Sequence, residues 1–164
     1  MRRNDPETVL ALQPPVRPSA GEAATPIIAP AAALPSGARS LRLIVVEDEP
    51  AVAQIIKDAV EDLGHMVCGV ARTEQEAVDL ADRERPELAL MDVRLAAGGD
   101  GIVAARKLAA GFGIRSIFLS GYADHATMRR LTETYPLGVV HKPFSMAQLK
   151  SALDLAGRRL RARG

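Results

Sequence analysis

From Leu41 onward the chain alternates between short apolar runs and longer segments whose apolar residues recur every three or four positions. The apolar runs fall at 41–46, 66–70, 88–94, 116–119 and 137–140. Runs of this length, bounded by turn residues, read as strands buried on both faces. Between them lie helical patterns. Val52, Ile55, Ile56, Ala59, Val60 and Leu63 form one stripe, with Pro50 suited to the first turn and Gly64 to the C-cap. Thr73 and Glu76 have capping-box spacing and open a second helix that reaches about Arg83. A third helix is predicted over 102–110, with Gly111 and Gly113 behind it, and a fourth over 124–133, stopped before Pro136. Ser145 and Gln148 repeat the capping-box spacing. The last helix then runs to about Arg161, with Met146, Leu149, Leu153, Ala156 and Leu160 on one face. Five strand–helix units in succession predict an α/β fold: a doubly wound parallel sheet with right-handed crossovers. The second strand ends in no reactive residue and suits an edge, so the predicted strand order is 2-1-3-4-5.

The other four runs end in polar groups: Glu47-Asp48-Glu49, Asp92, Ser120-Gly121 and His141-Lys142-Pro143. In a parallel sheet these ends share one edge, which is where open α/β sheets build their sites. Glu47, Asp48 and Asp92 would meet there and repel one another. Without a cation, one of them is expected to take a proton. A hard divalent ion resolves the repulsion, and Mg²⁺ prefers a few carboxylates, waters and a phosphate oxygen. A carboxylate can also act as a nucleophile and form an aspartyl phosphate. Lys142, the Ser120 hydroxyl and a backbone N–H could then serve the remaining phosphoryl oxygens.

Composition narrows the class. A chain of 164 residues suits one domain with a tail, and a net charge of +1 implies no general affinity for nucleic acid or membrane. Cys68 is the single cysteine, so a disulfide framework is excluded and a reducing, cytoplasmic setting is expected. No apolar run approaches the roughly 18 residues of a membrane span. Arg2 and Arg3 are followed by Asp5, Pro6 and Glu7, which makes a poor signal peptide. Seven of the eleven prolines lie within residues 1–40, which read as a disordered or polyproline-like tail before a domain at 41–161. His65, His125 and His141 have no metal-ligand spacing and read as structural or surface residues, and Glu49 as a solvated acid. Arg158, Arg159, Arg161 and Arg163 suit a helix C-terminus; without aromatic neighbours or a DNA-binding motif they make a thin nucleic-acid patch.

Taken singly, each strand-end residue has an ordinary reading as a cap or a solvated charge. Together the motifs are specific. Val45-Val46-Glu47-Asp48-Glu49, Leu90-Met91-Asp92-Val93-Arg94-Leu95, Phe118-Leu119-Ser120-Gly121-Tyr122 and His141-Lys142-Pro143-Phe144 make the stretch from about Leu41 to Arg161 resemble a receiver domain of bacterial two-component response regulators, with the flavodoxin-like (βα)5 fold. The resemblance implies that Asp92 is the phosphoacceptor, that Glu47, Asp48, Asp92 and the Arg94 carbonyl hold Mg²⁺, that Ser120 is the switch hydroxyl and that Lys142 contacts the phosphoryl group. It also implies a cis Lys142–Pro143 bond. Its partners would be a histidine kinase or a histidine phosphotransfer protein, then a downstream protein, or a second copy in a phosphorylation-dependent dimer, with neither nucleic acid nor membrane involved.

One position departs from the family pattern. Val139 stands where receivers usually carry an aromatic partner for the switch hydroxyl. Tyr122 is the candidate substitute, as in a subset of alphaproteobacterial single-domain receivers that the Phe-Leu-Ser-Gly-Tyr run resembles. Arg94 and Tyr122, each two residues beyond a site residue, are expected to stand over the pocket and gate water. With no output domain expected, a stand-alone receiver is the leading reading. A Mg²⁺-dependent phosphohydrolase working through an aspartyl phosphate is the first alternative, but haloacid-dehalogenase-type enzymes would carry an acid at the position of Arg94. A pseudo-receiver that binds without phosphorylation is the second, and it would be expected to lack one of the acids or the lysine.

Overall fold

The computed structural model describes residues 39–95, 98–121 and 124–162. The tail expected over residues 1–40 therefore lies almost wholly outside the described residues. The elements follow the predicted alternation: β1 (Arg42–Val46), α1 (Pro50–Asp62), β2 (Met66–Ala71), α2 (Glu74–Glu84), β3 (Leu88–Asp92), α3 (Gly101–Phe112), β4 (Arg115–Ser120), α4 (His125–Thr132), β5 (Gly138–His141) and α5 (Met146–Arg161). The sheet has five strands in the order β2-β1-β3-β4-β5, and every neighbouring pair is parallel.

Alternation along each strand divides the core in two. Ile44, Val46, Ala89, Met91 and Phe118 face the layer of α2, α3 and α4. Leu43, Val45, Leu88, Leu90, Ile117 and Leu119 face α1 and α5. The central strands are apolar on both faces for this reason, which is why they read as unbroken runs. Each of the larger side chains among them (Val, Leu, Ile, Met and Phe) contributes about 1.5–3 kcal/mol through burial.

Side-chain caps set the starts of α2, α3, α4 and α5, while α1 opens on Pro50 without one. Asp100 accepts from the Ile102 N–H at 2.8 Å, and Asp124 accepts from the Thr127 N–H at 2.7 Å. Ser145 and Gln148 form the predicted reciprocal box at α5. At α2 Thr73 caps Glu76 as expected, but the Glu76 carboxylate bonds the N–H of Arg72, one residue earlier than a strict box. Helix α3 is longer than predicted. Gly111 is exposed and tolerated inside it, while Gly113, at φ 69°, supplies the left-handed cap. Phe112 is what the extra turn gains: it packs on the core, and the Arg85 guanidinium lies 5.4 Å from its ring centre.

Of the three histidines, His65 is buried, while His125 and His141 are exposed. The His65 Nδ1 accepts the Leu41 N–H at 3.2 Å, just ahead of β1. Burial holds the imidazole below its ordinary value of 6.5, with Asp154 of α5 opposing that shift and Lys150 of α5 adding to it. The folded protein therefore refuses a proton that the unfolded chain takes at 6.5, so stability falls as pH drops below that value. Chemical denaturation between pH 7 and pH 5 should show this loss in the wild type. His65→Asn, whose Oδ1 can accept the same N–H without titrating, should lose measurably less stability over the same range.

Candidate functional site

The strand order brings four strand ends together. Glu47 and Asp48 follow β1, Asp92 ends β3, Ser120 ends β4 and Lys142 follows β5. They line one cleft of about 310 Å³ with Glu49, Val52, Val93, Arg94 and Gly121. Main-chain bonds fix the spacing: Val93 N–H donates to Leu119 O at 3.3 Å, and Lys142 N–H donates to Ser120 O at 2.7 Å.

Lys142 is the electrostatic centre. Its Nζ lies 2.7 Å from Glu47 Oε2 and 3.4 Å from Asp92 Oδ2. Glu47 is buried, and its Oε1 accepts the Glu49 N–H at 3.3 Å. Burial pushes the Glu47 carboxyl above its ordinary value; the Lys142 bond pulls it back, and Asp92 adds to the rise. Burial acts to lower the Lys142 ammonium, but Glu47 and Asp92 outweigh it and hold it above the ordinary lysine value, so it stays charged. The repulsion expected among the acids is thus present, and Lys142 meets it in part.

Two further features of the cleft bear on what it can bind. Carboxylate oxygens of Glu47, Asp48 and Asp92 all lie within 4.8 Å of one another, a donor set suited to a hard cation. The buried Ser120 hydroxyl has no hydrogen-bond partner among the described residues. Such an orphan costs about 1–3 kcal/mol unless something bonds it. Ser116, deeper in the same strand, has a second orphan hydroxyl for which the structure offers no function.

The remaining predicted residues divide. Arg94 is exposed at the rim, with its N–H 3.5 Å from Asp92 Oδ1. Val139 lies in β5 opposite Phe118, half-buried against the α2–α4 side of the core. Tyr122 lies outside the described residues. The Lys142–Pro143 bond is cis, as the resemblance implied. Gly101 went unrecognised in the sequence. A Cβ there would stand 1.8 Å from the Asp92 carbonyl oxygen, so only glycine lets the start of α3 close on β3. Its one sequence signal was a glycine immediately behind an N-cap aspartate, a place where helix propensity gives no reason for glycine.

Known proteins share the fold and the sequence pattern of this chain. The model of the response regulator receiver domain matches residues 43–154. The chain is 36% identical over 115 residues to the phyllosphere-induced regulator PhyR of Methylorubrum extorquens, covering 70% of this chain and 42% of that protein. It is 30% identical over 120 residues to the transcriptional regulatory protein PdtaR of Mycobacterium tuberculosis, covering 73% of this chain and 58% of that protein. It thus spans about half the length of these relatives. Among solved structures, the signal receiver domain of a modulated diguanylate cyclase from Desulfovibrio desulfuricans superposes with a TM-score of 0.72 at 30% identity, covering 77% of this chain and all of that one. No helix among the described residues is long and apolar enough to cross a membrane. With its fold and its sequence matched together, the chain belongs to the response regulator receiver domains, a family of signalling domains rather than enzymes.

Proposed function

We propose that Asp92 takes a phosphoryl group from the histidine of a kinase or phosphotransfer protein and that a protein partner reads the modified state. The supporting observation is the meeting of three things at one strand edge: the Asp92 carboxylate, the Lys142 ammonium 3.4 Å away, and the orphaned Ser120 hydroxyl. An Asp92 oxygen attacks phosphorus, the P–N bond of the phosphohistidine breaks, and the imidazole leaves with the electron pair and takes up a proton. Lys142 stays charged and stabilises the oxygens of the transferring group. Ser120 donates its hydroxyl hydrogen to another of these oxygens and so gains the partner it lacks. Glu47, Asp48, Asp92 and the Arg94 carbonyl would hold Mg²⁺, which when bound neutralises charge on the phosphoryl oxygens.

Drawing Ser120 toward the phosphoryl group changes the face built by α4, β5 and α5, by biasing a two-state equilibrium. With Val139 in place of the usual aromatic, Tyr122 is the residue we assign to follow the hydroxyl. A cytoplasmic setting and a phosphorylation-dependent dimer go with this reading. A phosphohydrolase is disfavoured because Arg94 occupies the place of its second acid, and a pseudo-receiver because the acids and lysine are all present.

Acetyl phosphate with Mg²⁺ should add one acid-stable, base-labile phosphoryl group. Asp92→Asn should abolish the label, and undiminished labelling of that variant would remove Asp92 from the role. A second expected outcome concerns lifetime. Loss of the phosphoryl group needs water in line, and neither Arg94 nor Tyr122 is a carboxylate or amide suited to orient it. The phosphorylated wild type should therefore decay slowly, and Arg94→Asn combined with Tyr122→Glu should decay faster. Equal decay rates would show that these residues do not gate the water.

A further inference from the structure

Helix α4 has only eight residues, and Leu131 is the single one of them that is fully buried. So short a helix is poorly held by packing alone. At its start, its N-cap Asp124 follows Ser120, the proposed switch residue, by four positions along the chain. At its other end it is held by charge. Arg130 pairs with Asp100, and Arg106 of α3 pairs with Glu133, just past the helix end, at 2.8 Å. Asp100 is well anchored itself. Its other carboxylate oxygen caps α3 at 2.8 Å, and its N–H donates to Glu74 at 3.1 Å, whose second oxygen takes Lys107 at 2.9 Å. The next residue, Gly101, is seated against the Asp92 carbonyl and donates to Val93 O at 3.0 Å. One end of α4 thus lies four residues along the chain from Ser120, while the other is fastened to a segment that packs against the Asp92 carbonyl.

We propose that the Asp100–Arg130 ion pair is a restraint that holds α4 in its unphosphorylated seat and so sets how readily chemistry at Asp92 moves the helix. The proposal rests on the phosphoacceptor reading above. Recruitment of Ser120 pulls the start of α4, and the pair opposes that pull. Its removal lowers the threshold without touching any group that contacts phosphorus. By linkage, whatever the pair withholds from the switched arrangement is withheld equally from the ligand that favours it. With the Arg130 and Asp100 side chains 45% and 28% exposed, a pair of this kind is worth a factor of about two to five.

The test is an amide-resolved NMR titration of the full chain with beryllofluoride and Mg²⁺, a mimic of the phosphoryl group. The variants are Asp100→Asn, which keeps a capping oxygen for α3, Arg130→Gln, the two combined, and Arg130→Lys. In the wild type the amides of Val93, Arg94 and α4 should shift. Asp100→Asn and Arg130→Gln should each bind the mimic about two- to five-fold more tightly. The combination should bind no more tightly than either alone, because the same pair is lost in all three. Arg130→Lys, which keeps the charge, should lie near the wild type. A purely structural role for the two residues would not give this non-additive gain in affinity. Wild-type affinity in both single variants, or gains that multiply in the combination, overturns the restraint alone. A wild type whose Val93 and Arg94 amides do not respond at all overturns the phosphoacceptor reading and the restraint with it.

Discussion

At one end of this sheet Glu47, Asp48 and Asp92 bring carboxylate oxygens within 4.8 Å of one another beside the Lys142 ammonium, and Glu47 is buried. Removing a charge from water is expensive unless a partner is held in good geometry. The fold supplies that partner across 95 residues of sequence, from Glu47 behind β1 to Lys142 behind β5. The chain can hold this arrangement because the central strands are apolar on both faces and covered by helices on each side. Hydrophobic burial fixes the strands, and the strands fix the distances among the charges. Asp92 is left with the Lys142 ammonium on one side and the Glu47 and Asp48 carboxylates on another, in a cleft it shares with a Ser120 hydroxyl that has no partner among the described residues. The phosphoryl group and divalent ion proposed above would meet these charges and that hydroxyl.

The two layers of helices are not equally secured. On the α1 and α5 side, α5 runs sixteen residues and buries Leu149, Leu153 and Ala156 against the sheet. On the other side, α2 and α3 pack on one another, but α4 is short and contributes Leu131 alone as a fully buried side chain. The weakly packed element is the one that follows β4, the strand that ends in Ser120. A region with few buried contacts can rearrange at modest free-energy cost, so small electrostatic changes at the strand edge can be felt there first.

Much of this was legible in the sequence for identifiable reasons. Period and length located the strands and helices, and the polar residues that stop each apolar run marked the site. Strand 2 could be placed at the edge because nothing reactive ended it. What was not legible depended on tertiary placement. Gly101 is required by a carbonyl oxygen that periodicity cannot see. The end of α3 moved from Gly111 to Gly113 because Phe112 found a packing partner in three dimensions. The Glu76 carboxylate chose the N–H of Arg72 because chain direction ahead of α2, and not residue spacing, decides which donor is in reach. The ties of Asp100 to Glu74 and Arg130 join segments 26 and 30 residues apart, and no local pattern encodes them.

The central claim is that Glu47, Asp48 and Asp92 form one cation site beside the acceptor. Paramagnetic Mn²⁺ in place of Mg²⁺ tests it directly, because broadening of amide signals falls off steeply with distance from the ion. The account predicts broadening confined at low Mn²⁺ to the ends of β1 and β3, at Asp48, Asp92, Val93 and Arg94, with strong weakening in Asp48→Asn. Broadening centred elsewhere, or unchanged in that variant, would contradict it.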